Sequence, residues 1–194
     1  ISEDGPDQFW FVVERTIGGA TKQYVELYTP DIFLDSMISY SGSATSAVTG
    51  LAHLEGKTVQ ITADGAVHPD LVVSSGAIAL NYTATDIKVG LKYVSKLTPT
   101  RPGQNAGAGT TLGKPKRWNT IFVRLEKSAI PIINGQRPPV RSPDTNYGNE
   151  QPITSEDIEV KNLGYDLNGR IEIEQDLPLA CHIISLFGTL SVGD

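Results

Sequence analysis

Residues able to do chemistry are few in this chain, and they are scattered. The glycine-rich run Gly107-Ala-Gly-Thr-Thr-Leu-Gly113-Lys114 has the outline of a phosphate loop. That motif needs a glycine five positions before Gly113, where Ala108 stands, and a hydroxyl residue after the lysine, where Pro115 stands. No strand–helix–strand pattern surrounds it, so the run reads as a flexible loop. Cys181 and His182 are a thiol and a base, but neighbours in a strand point to opposite faces, which prevents their contact. The pair reads as a core cysteine beside a surface or interface histidine. His53, His68 and His182 lie in separate segments without metal-ligand spacing. His68, next to Pro69, suits a turn. Asn81-Tyr82-Thr83 has the form of a glycosylation sequon, which serves nothing without secretion.

Two charged groupings remain. Glu172 or Glu174 with Asp157 or Glu159 could form the carboxylate pair of a glycoside hydrolase, a mechanism set by separations that a sequence does not give. Glu172 and Glu174 alternate with Ile171 and Ile173, which is the ordinary pattern of a solvated strand face. Lys114, Lys116, Arg117 and Lys127 gather near Trp118. A basic patch with an aromatic can bind nucleic acid, but in a net acidic chain such a cluster better suits a subunit contact. Lys114, Lys116, Arg117 and Trp118 are therefore the candidate subunit contacts. No catalytic, cofactor-binding or metal residue is assigned, no cofactor is expected, and the chain is not expected to be an enzyme.

The elements that position these groups are strands. The 194 residues include 19 glycines, 12 prolines and only 20% charged residues, which suits a turn-rich all-β protein of one large or two small domains. A net charge of −6 argues against general attraction to DNA or an anionic membrane. The single cysteine excludes an internal disulfide and fits assembly in a reducing compartment. No apolar run approaches the roughly 18 residues of a membrane helix, so no membrane span is expected. The chain opens at Ile1 rather than at methionine, and we expect it to be the C-terminal part of a longer polypeptide.

The central stretch is residues 51–70. Lys57 to Thr62 alternates Val59 and Ile61 with polar neighbours, the period of a half-buried strand. Asp64-Gly65 is a hairpin signal, and His68-Pro69-Asp70 is expected to stop pairing, since proline lacks an N–H. A second arm runs from Leu71 to Val73, turns at Ser75-Gly76 and continues through Ile78 and Leu80. Ile87, Val89, Leu91 and Tyr93 then close the unit.

Upstream, Phe9 to Arg15 and Thr21 to Tyr28 form a hairpin around Gly18-Gly19, with Tyr24, Glu26 and Tyr28 on one face and Val25 and Leu27 on the other. Asp31 to Leu34 is expected to make a helical turn, Ser36 to Tyr40 a strand, and Ser41 to Gly50 a flexible loop. Downstream, strands are expected at Trp118 to Glu126, Ile130 to Ile133 on an edge because of Pro131, Ile158 to Lys161, Arg170 to Gln175 after the Asn168-Gly169 turn, and Ala180 to Val192. Thr98 to Pro115 and Asn134 to Gln151 are long polar loops.

The domains expected are thus 1–29, an N-terminal β-hairpin left over from an upstream domain; 30–97, a small β-barrel of about five short strands; 98–116, a linker; and 117–194, a C-terminal, β-sandwich-like unit.

Leu54-Glu-Gly-Lys-Thr-Val59 before Ala63-Asp-Gly-Ala-Val-His-Pro69 resembles a signature of the nozzle, or tail tubular protein B, family of short-tailed phages. Trp10-Phe-Val-Val-Glu-Arg-Thr-Ile-Gly-Gly19, Arg141-Ser142-Pro143, Gly164-Tyr165-Asp166, Gly169-Arg170-Ile171 and the close from Asp176 to Leu190 extend the resemblance over nearly the whole chain. The resemblance implies a structural virion protein, assembled in the bacterial host cytoplasm. It implies a homo-oligomeric ring, expected to be a hexamer, that continues the DNA ejection channel below the portal and adaptor and anchors tip proteins or fibres. DNA would pass through transiently and without specificity. The inserted barrel is similar in fold alone to a small barrel of ubiquitin-activating enzymes. The alternative is a tail-associated carbohydrate-binding or polysaccharide-degrading domain, whose distinguishing feature would be an aromatic-lined groove with paired carboxylates.

Overall fold

The computed structural model describes residues 7–103, 105–106, 109–139, 153–161 and 164–193. The fold is all-β, with every strand pair antiparallel. The only helical turn among the described residues is the 3-10 turn Ala52–Leu54. The chain divides into two compact units, the first ending at Tyr93 and the second beginning at Val94.

In the first unit, β1 (Trp10–Ile17) and β2 (Ala20–Leu27) make a two-stranded hairpin. Gly18 and Gly19 both take positive φ (57° and 80°), the backbone a two-residue turn with the right twist requires. Register then fixes the faces. Phe11, Val13 and Arg15 share one face with Tyr24 and Glu26, while Trp10↔Leu27 and Val12↔Val25 pair directly on the other. A four-stranded sheet follows, in the order β3-β6-β4-β5, from β3 (Asp35–Thr49), β4 (Thr58–Ala63), β5 (Ala66–Val72) and β6 (Ala77–Leu91). Its core joins Val59 and Ile61 of β4, Ile87 and Val89 of β6, and Leu51 and Leu54 around the helical turn, all fully buried. At about 1.5–3 kcal/mol for each such side chain, this cluster dominates the stability of the unit. Asp64-Gly65 turns as expected, with φ of 49° and 76°. Asp64 Oδ1 also accepts from the Thr85 N–H (2.9 Å), the Thr85 hydroxyl (2.9 Å) and the Asp86 N–H (2.8 Å), which pins the turn to β6.

Several expectations for this unit need correction. Ser41 to Gly50 is not a loop, because β3 runs on to Thr49. Its register against β6 slips between Ser41 and Thr45 and again between Thr45 and Ala47, so bulges hide the two-residue period. The small residues there leave the Tyr40 hydroxyl room to donate to the Ser43 carbonyl (2.8 Å). Pairing does not stop at His68-Pro69-Asp70 either. β5 is the sheet's edge strand, and Pro69 and Asp70 together lie opposite the single residue Gln60, a bulge that removes the need for a proline N–H. β4 is covered on both faces rather than half-buried, since Gln60 and Thr62 are also buried. No helical turn forms over Asp31 to Leu34; the turn lies earlier, over Thr29 to Ile32, closed by Ile32 N–H donating to the Thr29 carbonyl (3.2 Å). The strands here are not all short, since β3 and β6 are each 15 residues long. The unit ends at Tyr93 rather than Leu97, because β7 (Ser95–Leu97) pairs with a strand of the second unit.

In the second unit, β8 (Asn105–Ala106) and β9 (Gly109–Thr110) form a minimal pair within the Thr98 to Pro115 segment. One three-stranded sheet has the order β12-β10-β14, from β10 (Lys116–Leu125), β12 (Asp157–Lys161) and β14 (Ile183–Val192). The other, β11-β13-β7, joins β11 (Ile132–Ile133), β13 (Ile173–Gln175) and β7. Both contribute to one core, with Ile121, Val123 and Leu125 of β10 meeting Ile133 and Ile173. The strand expected over Ile130 to Ile133 shortens to Ile132–Ile133, which is an edge strand, and Pro131 lies outside it. The strand expected from Arg170 is shorter and starts at Ile173, and the last strand starts at Ile183 rather than Ala180. Arg141-Ser142-Pro143 and the rest of residues 140–151 of the Asn134 to Gln151 loop lie outside the described residues.

Candidate functional site

The first unit contains a cleft of about 820 Å³. One wall is the inner face of the hairpin, where Phe11, Val13, Tyr24 and Glu26 arrive from alternate positions of β1 and β2. The opposite side brings Leu34 and the start of β3, with Asp35, Ser36 and Met37. Tyr28, His53 and Tyr93 complete the aromatic and polar lining.

Arg15 holds the two sides together. Its guanidinium forks onto Glu26, with one arm 3.0 Å from Oε2, and its Nη2 also lies 2.9 Å from both oxygens of Asp35. The Ser36 hydroxyl donates to Glu26 Oε1 (3.1 Å), and His53 Nε2 lies 3.1 Å from the Ser36 carbonyl. The guanidinium carbon also stands 6.0 Å from the centre of the Tyr24 ring. The hydrogen bond from Arg15 holds the Glu26 carboxyl below the usual range, with burial pulling the other way. Burial, then the neighbouring Tyr28 and Asp35, pushes the Tyr93 phenol up.

Chemically, the cleft offers aromatic faces and two carboxylates shared by one cation. That matches the aromatic-lined, carboxylate-paired feature set out for the carbohydrate alternative. A glycosidase also needs one carboxyl held protonated to supply a proton to the leaving oxygen. Arg15 drives Glu26 the opposite way.

The sequence-predicted residues fall differently. Of the candidate subunit contacts, Lys114 and Arg117 are exposed, and Arg117 lies over the Tyr165 ring at 5.1 Å with its Nε donating to Asn119 Oδ1 (3.0 Å). Lys116 must be withdrawn from that surface. Its side chain is fully buried, with Nζ 3.1 Å from the Lys114 carbonyl and 3.5 Å from that of Leu167. The strand period explains this, because Lys116 and Trp118 point the opposite way from Arg117. Trp118 is half-buried against the second core, and its indole N–H donates to the Gly169 carbonyl (2.8 Å).

Glu172 and Glu174 both face Lys96, across the β13–β7 pair, while Asp157 binds Arg124 and Glu159 binds Lys161. Glu172 and Glu174 thus share one cation, while Asp157 and Glu159 each have their own. Cys181 is half-buried rather than a core residue, and burial raises its thiol pKa. His68 is not a turn residue but a fully buried one. Its Nε2 accepts from the Asn81 N–H (3.1 Å), which leaves Nδ1 to donate to the Pro69 carbonyl (2.7 Å). Among the described residues no three His, Cys, Asp or Glu side chains gather as a metal site, and no helix is long and apolar enough to cross a membrane. Gly107 and Ala108 lie outside the described residues.

The cleft itself was only half legible in the sequence. Tyr24, Glu26 and Tyr28 could be placed on one face, but Arg15 opposite them and Asp35 from β3 depend on tertiary pairing. No family model matches the chain, and no curated protein matches it.

Proposed function

We propose that the chain is a structural component of a short-tailed phage tail, of the nozzle kind, that works by binding rather than by catalysis. Copies would form a ring, expected to be hexameric, that continues the DNA channel and anchors tip proteins or fibres. The small barrel and the sandwich-like unit expected from the strand pattern belong to the same proposal. One observation carries it beyond the resemblance, which is the outer face of the hairpin. Trp10, Val12, Val25 and Leu27 form a paired apolar ladder, 58%, 70%, 70% and 40% exposed. A contiguous apolar patch with a tryptophan on a rigid hairpin has the character of an assembly contact.

Charge supports the channel role. Residues 1–93 carry 11 carboxylates against 5 lysines and arginines, whereas residues 94–194 carry 11 of each. An acidic surface lets a polyanion slide instead of holding it, because counterion release rewards only cationic contacts. The proposed contact surface differs from the basic cluster expected at first, in which Lys116 is buried.

The test is to place Val12→Asp and Val25→Asp together in the phage gene and examine particles by electron microscopy. Loss of complete tails, with the variant chain still folded, supports the proposal. Infectious particles at the normal yield would remove the hairpin face from assembly.

A further inference from the structure

We infer that the cleft of the first unit is a recognition site for a basic peptide segment, taking a lysine or arginine side chain of a partner protein. Within the cleft Glu26 and Asp35 share a single guanidinium, so one negative charge is left over. The two carboxylates are not equally covered, since the Asp35 side chain is 45% exposed, Glu26 is 22% and Arg15 only 12%. The surplus charge is therefore presented at Asp35, with Arg15 beneath it.

Tyr28 and Tyr93 stand beside that carboxylate, both substantially exposed. Burial first, then Tyr28 and Asp35, pushes the Tyr93 phenol up. Aromatic faces next to an incompletely neutralised carboxylate favour a cation over a neutral guest, because ring quadrupole and carboxylate attract the same charge. The surrounding unit carries six more carboxylates than cationic side chains over residues 1–93, which adds long-range attraction for a basic segment. The cleft also has an apolar lining, from Phe11, Leu34 and Met37, for the aliphatic stem of the incoming side chain. A neutral saccharide could stack on the same rings, but the surplus charge would contribute nothing to holding it.

The experiment follows the Tyr28 and Tyr93 ring resonances of the whole chain by NMR while adding Ac-Gly-Arg-Gly-NH2. The neutral Ac-Gly-Nle-Gly-NH2 and maltohexaose are titrated in parallel. The arginine peptide is expected to saturate, with weaker binding at high salt, while the norleucine peptide leaves the rings unmoved. Asp35→Asn is expected to weaken it about tenfold, and Tyr93→Leu, which leaves the Arg15 network untouched, about three- to fivefold. The inference is overturned if the norleucine peptide binds as well, if only maltohexaose saturates, or if nothing moves the rings. It is equally overturned if they shift with protein concentration alone, since a second copy then fills the cleft.

Discussion

Replacing Gly188 by alanine tests the packing of the second unit at its least forgiving point. A methyl group built there would lie 2.2 Å from the Thr120 carbonyl oxygen, 3.0 Å from Ile121 Cα and 3.1 Å from the Thr120 carbonyl carbon. Ordinary carbon–oxygen contacts are about 3.3–3.6 Å, so something must shift by roughly 1 Å. All three atoms are backbone of β10, the central strand between β12 and β14, and Ile121 on that strand is fully buried. No flexible side chain is available to yield. Overpacking costs about 1–3 kcal/mol where side chains can adjust, and a disrupted ladder hydrogen bond adds about 1 kcal/mol. The expected loss is therefore roughly 2–4 kcal/mol, toward the top of the range for single substitutions. With a urea slope of about 1.5–2 kcal/mol/M, the midpoint falls by roughly 2 M. Trp118 in a Trp10→Phe background reports this unit alone, because the chain has only two tryptophans. Gly164, with no atom within 4 Å of a built Cβ, is the control, and its alanine variant should stay within about 0.5 kcal/mol. If Gly188→Ala unfolds at the wild-type midpoint, the β10–β14 register is wrong.

Three further expectations concern the first unit. Arg15→Met removes the hydrogen bonds to Glu26 and Asp35 and should cost roughly 1–2 kcal/mol at pH 7. Because Glu26 titrates below its ordinary value in the fold, its contribution is complete above its unfolded pKa and lost as pH falls through the folded one, below about pH 4. Urea midpoints at pH 7 and pH 3 should therefore converge between wild type and variant. His68→Leu leaves the Asn81 N–H and Pro69 carbonyl without their partner and should destabilise by about 1–3 kcal/mol in thermal melts. Val12→Thr with Val25→Thr should change the stability of the isolated chain by no more than about 0.5 kcal/mol, since both are 70% exposed, and a larger loss in urea would mean that the face packs within the chain.

Regular alternation made much of the fold legible in advance. Val59 and Ile61, Ile87 and Val89, and Ile121, Val123 and Leu125 are all buried as their spacing required. The Gly18-Gly19, Asp64-Gly65 and Ser75-Gly76 turns carry the positive φ that their composition demanded. Failures cluster where pairing is irregular. Ser41 to Thr49 looks like a loop because its side chains are small and its register slips against β6, so no period survives to be read. Pro69 looks like a stop because the rule against proline assumes a regular ladder, and an edge bulge escapes it. Lys116 shows the limit for sites: charge suggested a surface, but the strand turns it inward, where backbone carbonyls receive its ammonium. Arg15, Glu26 and Asp35 meet through tertiary structure, and local spacing does not encode that meeting.

The central claim is a place in a phage tail, and high-resolution cryo-electron microscopy of the intact particle tests it most directly. The account predicts density for this chain in a ring below the portal and adaptor, with Trp10, Val12, Val25 and Leu27 covered by other protein. Density elsewhere in the particle, or none, or a ring in which those four side chains stay in solvent, would contradict it.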